Sequence, residues 1–143
     1  MINNQKVEEV KKLLKKEQGT KIVMSQDDTF NRKILEHGNF DIILSVENGV
    51  RKNKIRQEDS GLNHVLSKIA SKNNIAIGID LEEISKLQPK EKASRLSKII
   101  QNIRICRKTK TKTAIKIKSI QTAKDFMFGL GASTSQVNET IVF

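Results

Sequence analysis

The chain has 143 residues, enough for one domain with a proper core but few for a complete eight-stranded barrel. Its single cysteine, Cys106, excludes a disulfide framework, and no segment approaches membrane-spanning length, so a soluble cytoplasmic protein without a membrane partner is expected. The formal charge is +11, and it is unevenly placed: residues 1–85 carry 14 Lys/Arg against 13 Asp/Glu, residues 86–124 carry 13 against Glu91 alone, and residues 125–143 hold only Asp125 and Glu139.

Residues 4–17 read as a charged amphipathic helix with Val7, Val10, Leu13 and Leu14 inward and Gly19 near its end. Lys21–Ser25 is a short strand. Asp27 or Asp28 caps a second helix carrying Phe30, Ile34 and Leu35, which Gly38 stops. Phe40–Val46 is apolar on both faces, as parallel strands tend to be. The polar segment 47–58, with Arg51, Lys52, Lys54 and Arg56, then leads from a strand end into the next helix. In parallel α/β sheets that edge binds ligands. Asp59 or Ser60 is the expected cap of a helix over 60–73. Leu62, Val65, Leu66, Ile69 and Ala70 form its apolar stripe, Asn63 lies at the flank, and His64 and Lys68 point away.

Ile75–Asp80 reads as a buried strand, Leu81–Gln88 as a polar turn, and Pro89 as the first residue of a long helix reaching about Cys106. Ala93, Leu96, Ile99, Ile100 and Ile103 fall inward on that helix, with Lys92, Arg95 and Lys98 toward the flank or outside. Thr113–Lys118 alternates as a fourth strand, in which Lys116 and Lys118 require an exposed or RNA-facing side. Gln121–Leu130 is a last helix, and residues 132–143 fit either a further helix or a short strand at Thr140–Phe143. The pattern predicts an α/β fold in which one parallel sheet alternates with helices, about four strands in a single domain over 1–143.

No H-x-H or H-E-x-x-H pattern, P-loop or nucleophile elbow is present, and Cys106 is expected to face the core beside Ile103. One block holds the whole cationic excess, which fits a polyanionic partner, most naturally nucleic acid. The competing explanation is a lysine-rich surface that only keeps the protein soluble. With few aromatics, recognition falls to phosphate contacts by Lys and Arg rather than to base stacking.

The run Asp59-Ser-Gly-Leu-Asn-His-Val-Leu66, the strand after it, and the helix end Asn102…Cys106-Arg107-Lys108 together resemble the archaeal ribonuclease P protein component 3 family. That family is homologous to the thirty-kilodalton subunit of the eukaryotic enzyme. The similarity covers roughly residues 20–131. It implies a TIM-barrel-like fold related to the polymerase-and-histidinol-phosphatase enzymes but without their metal ligands. It also implies a non-catalytic subunit of a ribozyme that removes the 5′ leader from precursor tRNA. Protein component 2 and ribonuclease P RNA are the implied partners, and Mg²⁺ is implied for the RNA, with no cofactor on this chain.

The family has further β/α units before the first strand found here, so a shortened form with an incomplete barrel is expected, its sheet open or covered by another subunit. Where the family carries an Arg-x-Pro-Arg-Asp-like sequence, this chain has Gln121-Thr-Ala-Lys-Asp125. The residues expected to face RNA are Arg56, Asn63, His64 and Lys68 at the loop and helix mouth, with Arg95, Lys98, Arg104, Arg107 and Lys108 in the basic block. The alternative is a small metal-dependent phosphoesterase using Asp80, Glu82 and Glu83.

Overall fold

The computed structural model describes residues 1–48 and 58–143. Among the described residues five strands, β1 (Ile22–Met24), β2 (Ile42–Leu44), β3 (Ala76–Asp80), β4 (Thr113–Lys116) and β5 (Ile141–Val142), form one sheet in that order. Every pair is parallel. Ile2 adds a parallel bridge to Val23 at the β1 edge, through Ile2 N–H to the Ile22 carbonyl and Met24 N–H to the Ile2 carbonyl.

Strand order equal to chain order has a consequence. With no reversal and crossovers of one hand, all the helices belong on one face of the sheet, as in a barrel, and no switch-point crevice arises. The packing agrees. Val23, Ile43 and Ile77 cluster with α1 (Val7–Lys16), α2 (Asp28–His37), α3 (His64–Lys72) and Ile105 and Cys106 of α5 (Pro89–Thr109), whereas Ile79 and Ile115 cluster with Ile99 and Ile103 of α5, α6 (Ile120–Gly129) and α7 (Thr134–Glu139). The opposite face gathers Ile42, Ala76 and Ala114 with Ile22 and Phe143 and, among the described residues, no helix residue. Side chains in a strand alternate faces, so a single apolar run serves both layers. Gly78 lies on the helix-free face, where an added Cβ would sit 2.6 Å from Ile42 Cγ2; the missing side chain is what lets β2 and β3 close up there.

The local chemistry explains most element ends. Asp27 caps α2 by accepting the Phe30 N–H at 2.7 Å, and Gly38 ends it at φ 69°. Ser133 and Gln136 form a reciprocal capping box on α7. Residues 132–143 hold both of the structures the sequence offered as alternatives, α7 and then β5.

Several expectations are corrected. Asn63, not Asp59 or Ser60, caps α3, accepting the Leu66 N–H at 2.9 Å. Asp59 and Ser60 instead shape the preceding turn, where Gly61 takes φ 77°. Val65 and Leu13 are exposed, while Ser67 turns inward to hydroxyls on the α5 end. Leu81–Ser85 is a short helix, α4, because Asp80 accepts the Glu83 N–H and caps it. Ala93 is not buried, and Arg95 and Lys98 take its place on the inner side of α5. No helix among the described residues is long and apolar enough to cross a membrane.

Candidate nucleic-acid interface

At the end where the strands finish, the ionisable residues are tied to one another. Asp80 and Lys116 stand opposite in register on β3 and β4, and Lys116 Nζ donates to Asp80 Oδ2 at 2.9 Å. Glu82 lies 3.9 Å from the same ammonium. The pairing lifts the Lys116 pKa: its hydrogen bond to Asp80 contributes most, ahead of the opposing desolvation. The lysine that alternation assigned to an exposed or RNA-facing side is thus half-buried, held by a carboxylate in the neighbouring strand.

Arg95 makes a second tie. It donates through Nη2 to Glu47 at 2.9 Å and through Nη1 to Glu83 at 2.8 Å. Its side chain is 9% exposed and that of Glu47 1%. Burial raises the Glu47 carboxyl above the ordinary value of 4.5, against the pull of the guanidinium. Burial alone would lower Arg95, but the hydrogen bonds and charges of the two glutamates raise it on balance.

Arg95 is therefore an internal counter-ion and not the outward RNA contact expected of it. Lys98, one turn on, is buried as well and opens onto a cleft of about 510 Å³ beside Glu47, Glu83 and Arg95. Periodicity missed both because long cationic stems pack like apolar ones, and only the partner across the sheet reveals the ion pair. Among the described residues, no group of three or more His, Cys, Asp or Glu side chains is placed to hold a metal.

The start of α3 is pinned to α5. Ser97 donates to the Glu58 carboxylate at 2.6 Å, Gln101 to the Glu58 carbonyl at 3.0 Å and Asn102 to the Ser60 carbonyl at 3.2 Å. This seats the Asp59–Leu66 run against the basic helix. Asn63, His64 and Lys68 are exposed there, with the Asn63 side chain occupied as the cap. Arg56 lies outside the described residues.

Arg104, Arg107 and Lys108 are exposed on the outer side of α5 toward its carboxyl end, and Arg107 and Lys108, in the last turn, also oppose the helix dipole. Below them a hydroxyl cluster joins the two helices: Ser67 Oγ lies 2.6 Å from Thr109 Oγ1 and 2.8 Å from Thr111 Oγ1. Cys106 packs behind it, and burial pushes its thiol up to about 12. In Lys108-Thr-Lys-Thr-Lys112, threonines thus turn inward and lysines outward. Lys110 and Lys112 are exposed cations that the sequence reading passed over, although this alternation was visible in it.

No protein-family model matches the chain. Its sequence is 29% identical over 89 residues to ribonuclease P protein component 3 of Methanococcus vannielii, a match covering 62% of this chain and 36% of that protein. It is 38% identical over 58 residues to ribonuclease P protein component 3 of Methanococcoides burtonii, covering 41% of this chain and 21% of the other. The chain thus spans well under half the length of these curated relatives.

A chain in the cryo-EM structure of archaeal ribonuclease P with mature tRNA superposes with a TM-score of 0.73 at 18% identity, over 97% of this chain and 60% of that one. The resemblance read from the helix start and the basic helix end is upheld in sequence. The α/β fold with its barrel-like winding is upheld in structure.

Proposed function

We propose that the chain is an RNA-binding, non-catalytic protein subunit of ribonuclease P, supporting the catalytic RNA in removing the 5′ leader from precursor tRNA. The observation that carries this reading is the set of exposed cations on a rigid helix pair. Arg104, Arg107 and Lys108 stand on α5, and Lys68 stands on the α3 helix packed against it. Among the described residues, none of the four has a side-chain hydrogen bond or ion pair. Such groups suit phosphate oxygens, which position a structured RNA without reading its sequence. The similarity to component 3 supports ribonuclease P RNA as the partner, and the family resemblance adds protein component 2 and a Mg²⁺-dependent RNA in a cytoplasmic particle.

Changing Arg104, Arg107 and Lys108 together to Gln should weaken binding to ribonuclease P RNA. The salt dependence should flatten by about 0.7–0.9 for each phosphate that is no longer neutralised. A filter-binding titration across salt measures this, and an unchanged slope counts against the reading.

The phosphoesterase alternative needs Asp80, Glu82 and Glu83 available to a metal. Asp80 is held by Lys116 and by the Glu83 N–H, and Glu83 by Arg95, so two of the three carboxylates are already paired with side-chain cations. Mg²⁺- or Mn²⁺-stimulated phosphodiester hydrolysis by the protein alone, abolished in Asp80→Ala, would reverse the ranking.

A further inference from the structure

The rim where the strands begin continues the exposed cations at the end of α5, Arg107 being shared, with further unneutralised lysines. Lys21 precedes β1, Asp41 precedes β2, Asn74 and Ile75 precede β3, and Lys112 precedes β4. Backbone hydrogen bonds set these entry residues side by side. The Asp41 N–H donates to the Lys21 carbonyl at 2.9 Å, the Ala76 N–H to the Asp41 carbonyl at 2.8 Å, and the Ile77 N–H to the Lys112 carbonyl at 2.9 Å. From Lys21 to Lys112 the rim crosses three strand spacings, about 14 Å.

Two clefts flank this line. The first, of about 500 Å³, is lined by Lys11, Lys15, Lys21 and His37, with Asp41 as its one carboxylate. Lys11 is bound to Glu8 at 2.9 Å, and Asp41 already accepts the Lys21 N–H at 2.7 Å. The second, of about 300 Å³, is lined by Arg107, Lys110 and Lys112, with Glu139 as its one carboxylate. Among the described residues, the side chains of Lys15, Lys21, Arg107, Lys110 and Lys112 make no hydrogen bond or ion pair.

A concave surface in which free ammonium groups outnumber carboxylates, on a rim fixed by backbone hydrogen bonds, is suited to a phosphodiester chain. Little order has to be imposed on the backbone when the ligand arrives. We infer that this rim is a phosphodiester-binding track for RNA, with Lys15 and Lys21 holding phosphates in one cleft and Lys110 and Lys112 in the other. The inference rests on the RNA-binding reading and extends its α5-end cations along the rim, on the side of the sheet opposite the edge where barrel enzymes hold their substrates.

The test replaces Lys15, Lys21, Lys110 and Lys112 with Gln and compares this variant with a charge-matched control, in which Lys86, Lys90, Lys118 and Lys124 become Gln. Both sets are off the apolar core, so thermal unfolding should stay near the parent. The probe is a ribonuclease P RNA transcript titrated from low to physiological salt.

The rim variant should lower the salt slope by about 3 units, four phosphates at roughly 0.7–0.9 each, and the control by less than about one. Equal decreases in the two variants would overturn the rim site while leaving RNA binding by the chain standing. Absence of salt-dependent binding by the parent protein would remove the RNA-binding reading and this site with it.

Discussion

The two ends of the parallel sheet use similar side chains in opposite ways. Where the strands finish, Arg95 is shared between Glu47 and Glu83, and Lys116 between Asp80 and Glu82. Where they begin, Lys15, Lys21, Lys110 and Lys112 stand without partners among the described residues. A cation contributes to binding a polyanion only if its charge is not already compensated. The lesson is that a net charge of +11 does not locate a binding surface; the distribution of carboxylates around the cations does.

The comparison breaks most sharply at Arg95. Arg95→Leu leaves the Glu47 carboxyl buried without its counter-ion, and such a loss typically costs about 3–5 kcal/mol. Urea unfolding at neutral pH should show a drop of that order. A loss below about 1 kcal/mol would mean that the end where the strands finish is no more locked than a surface pair.

Next in size is the pH response of the same pair. A carboxyl raised on folding contributes stability that is fully present below its ordinary value of 4.5 and is lost as pH rises through the raised value. Glu47→Gln keeps an acceptor for Arg95 and removes the titration. The variant should therefore gain on the parent as pH rises from 4.5 upward, read from urea midpoints between acid and neutral pH. A difference constant with pH would show that burial does not control this carboxyl.

The smallest effect belongs to Lys116. Its own side chain is 32% exposed, but Asp80 is buried and keeps only the Glu83 N–H once the ammonium is gone, so Lys116→Met should cost about 1–3 kcal/mol, less than the loss at Arg95. RNA affinity should barely change, because that ammonium is already compensated by Asp80. A large loss of RNA binding in this variant would erase the distinction between the two ends.

Much of the fold was legible because local rules carried it. Asp27 and Gly38 bracket α2 as capping chemistry requires, Pro89 opens α5, and the unbroken apolar run Ile75–Ile79 reads as a strand buried on both faces. The start of α3 was misplaced by three or four residues because Asp59, Ser60 and Asn63 are all competent caps. Only the left-handed Gly61 between them decides which one the chain reaches in the right geometry. The candidate interface was less legible. Arg104, Arg107 and Lys108 are exposed as expected, but Arg95 and Lys98 carry the same side-chain types on the same helix and are buried.

What the sequence determined by itself is the succession of the longer helices and the first four strands, their parallel winding and the concentration of positive charge in residues 86–124. Apolar period, caps and composition act over a few residues, so they can be read without knowing what lies across the molecule. The tertiary structure alone decided which cations are free. Glu47 meets Arg95 from 48 positions away and Asp80 meets Lys116 from 36, by the register of neighbouring strands and the packing of α5. A charge is silenced by its nearest carboxylate in space, and that neighbour is set by the fold.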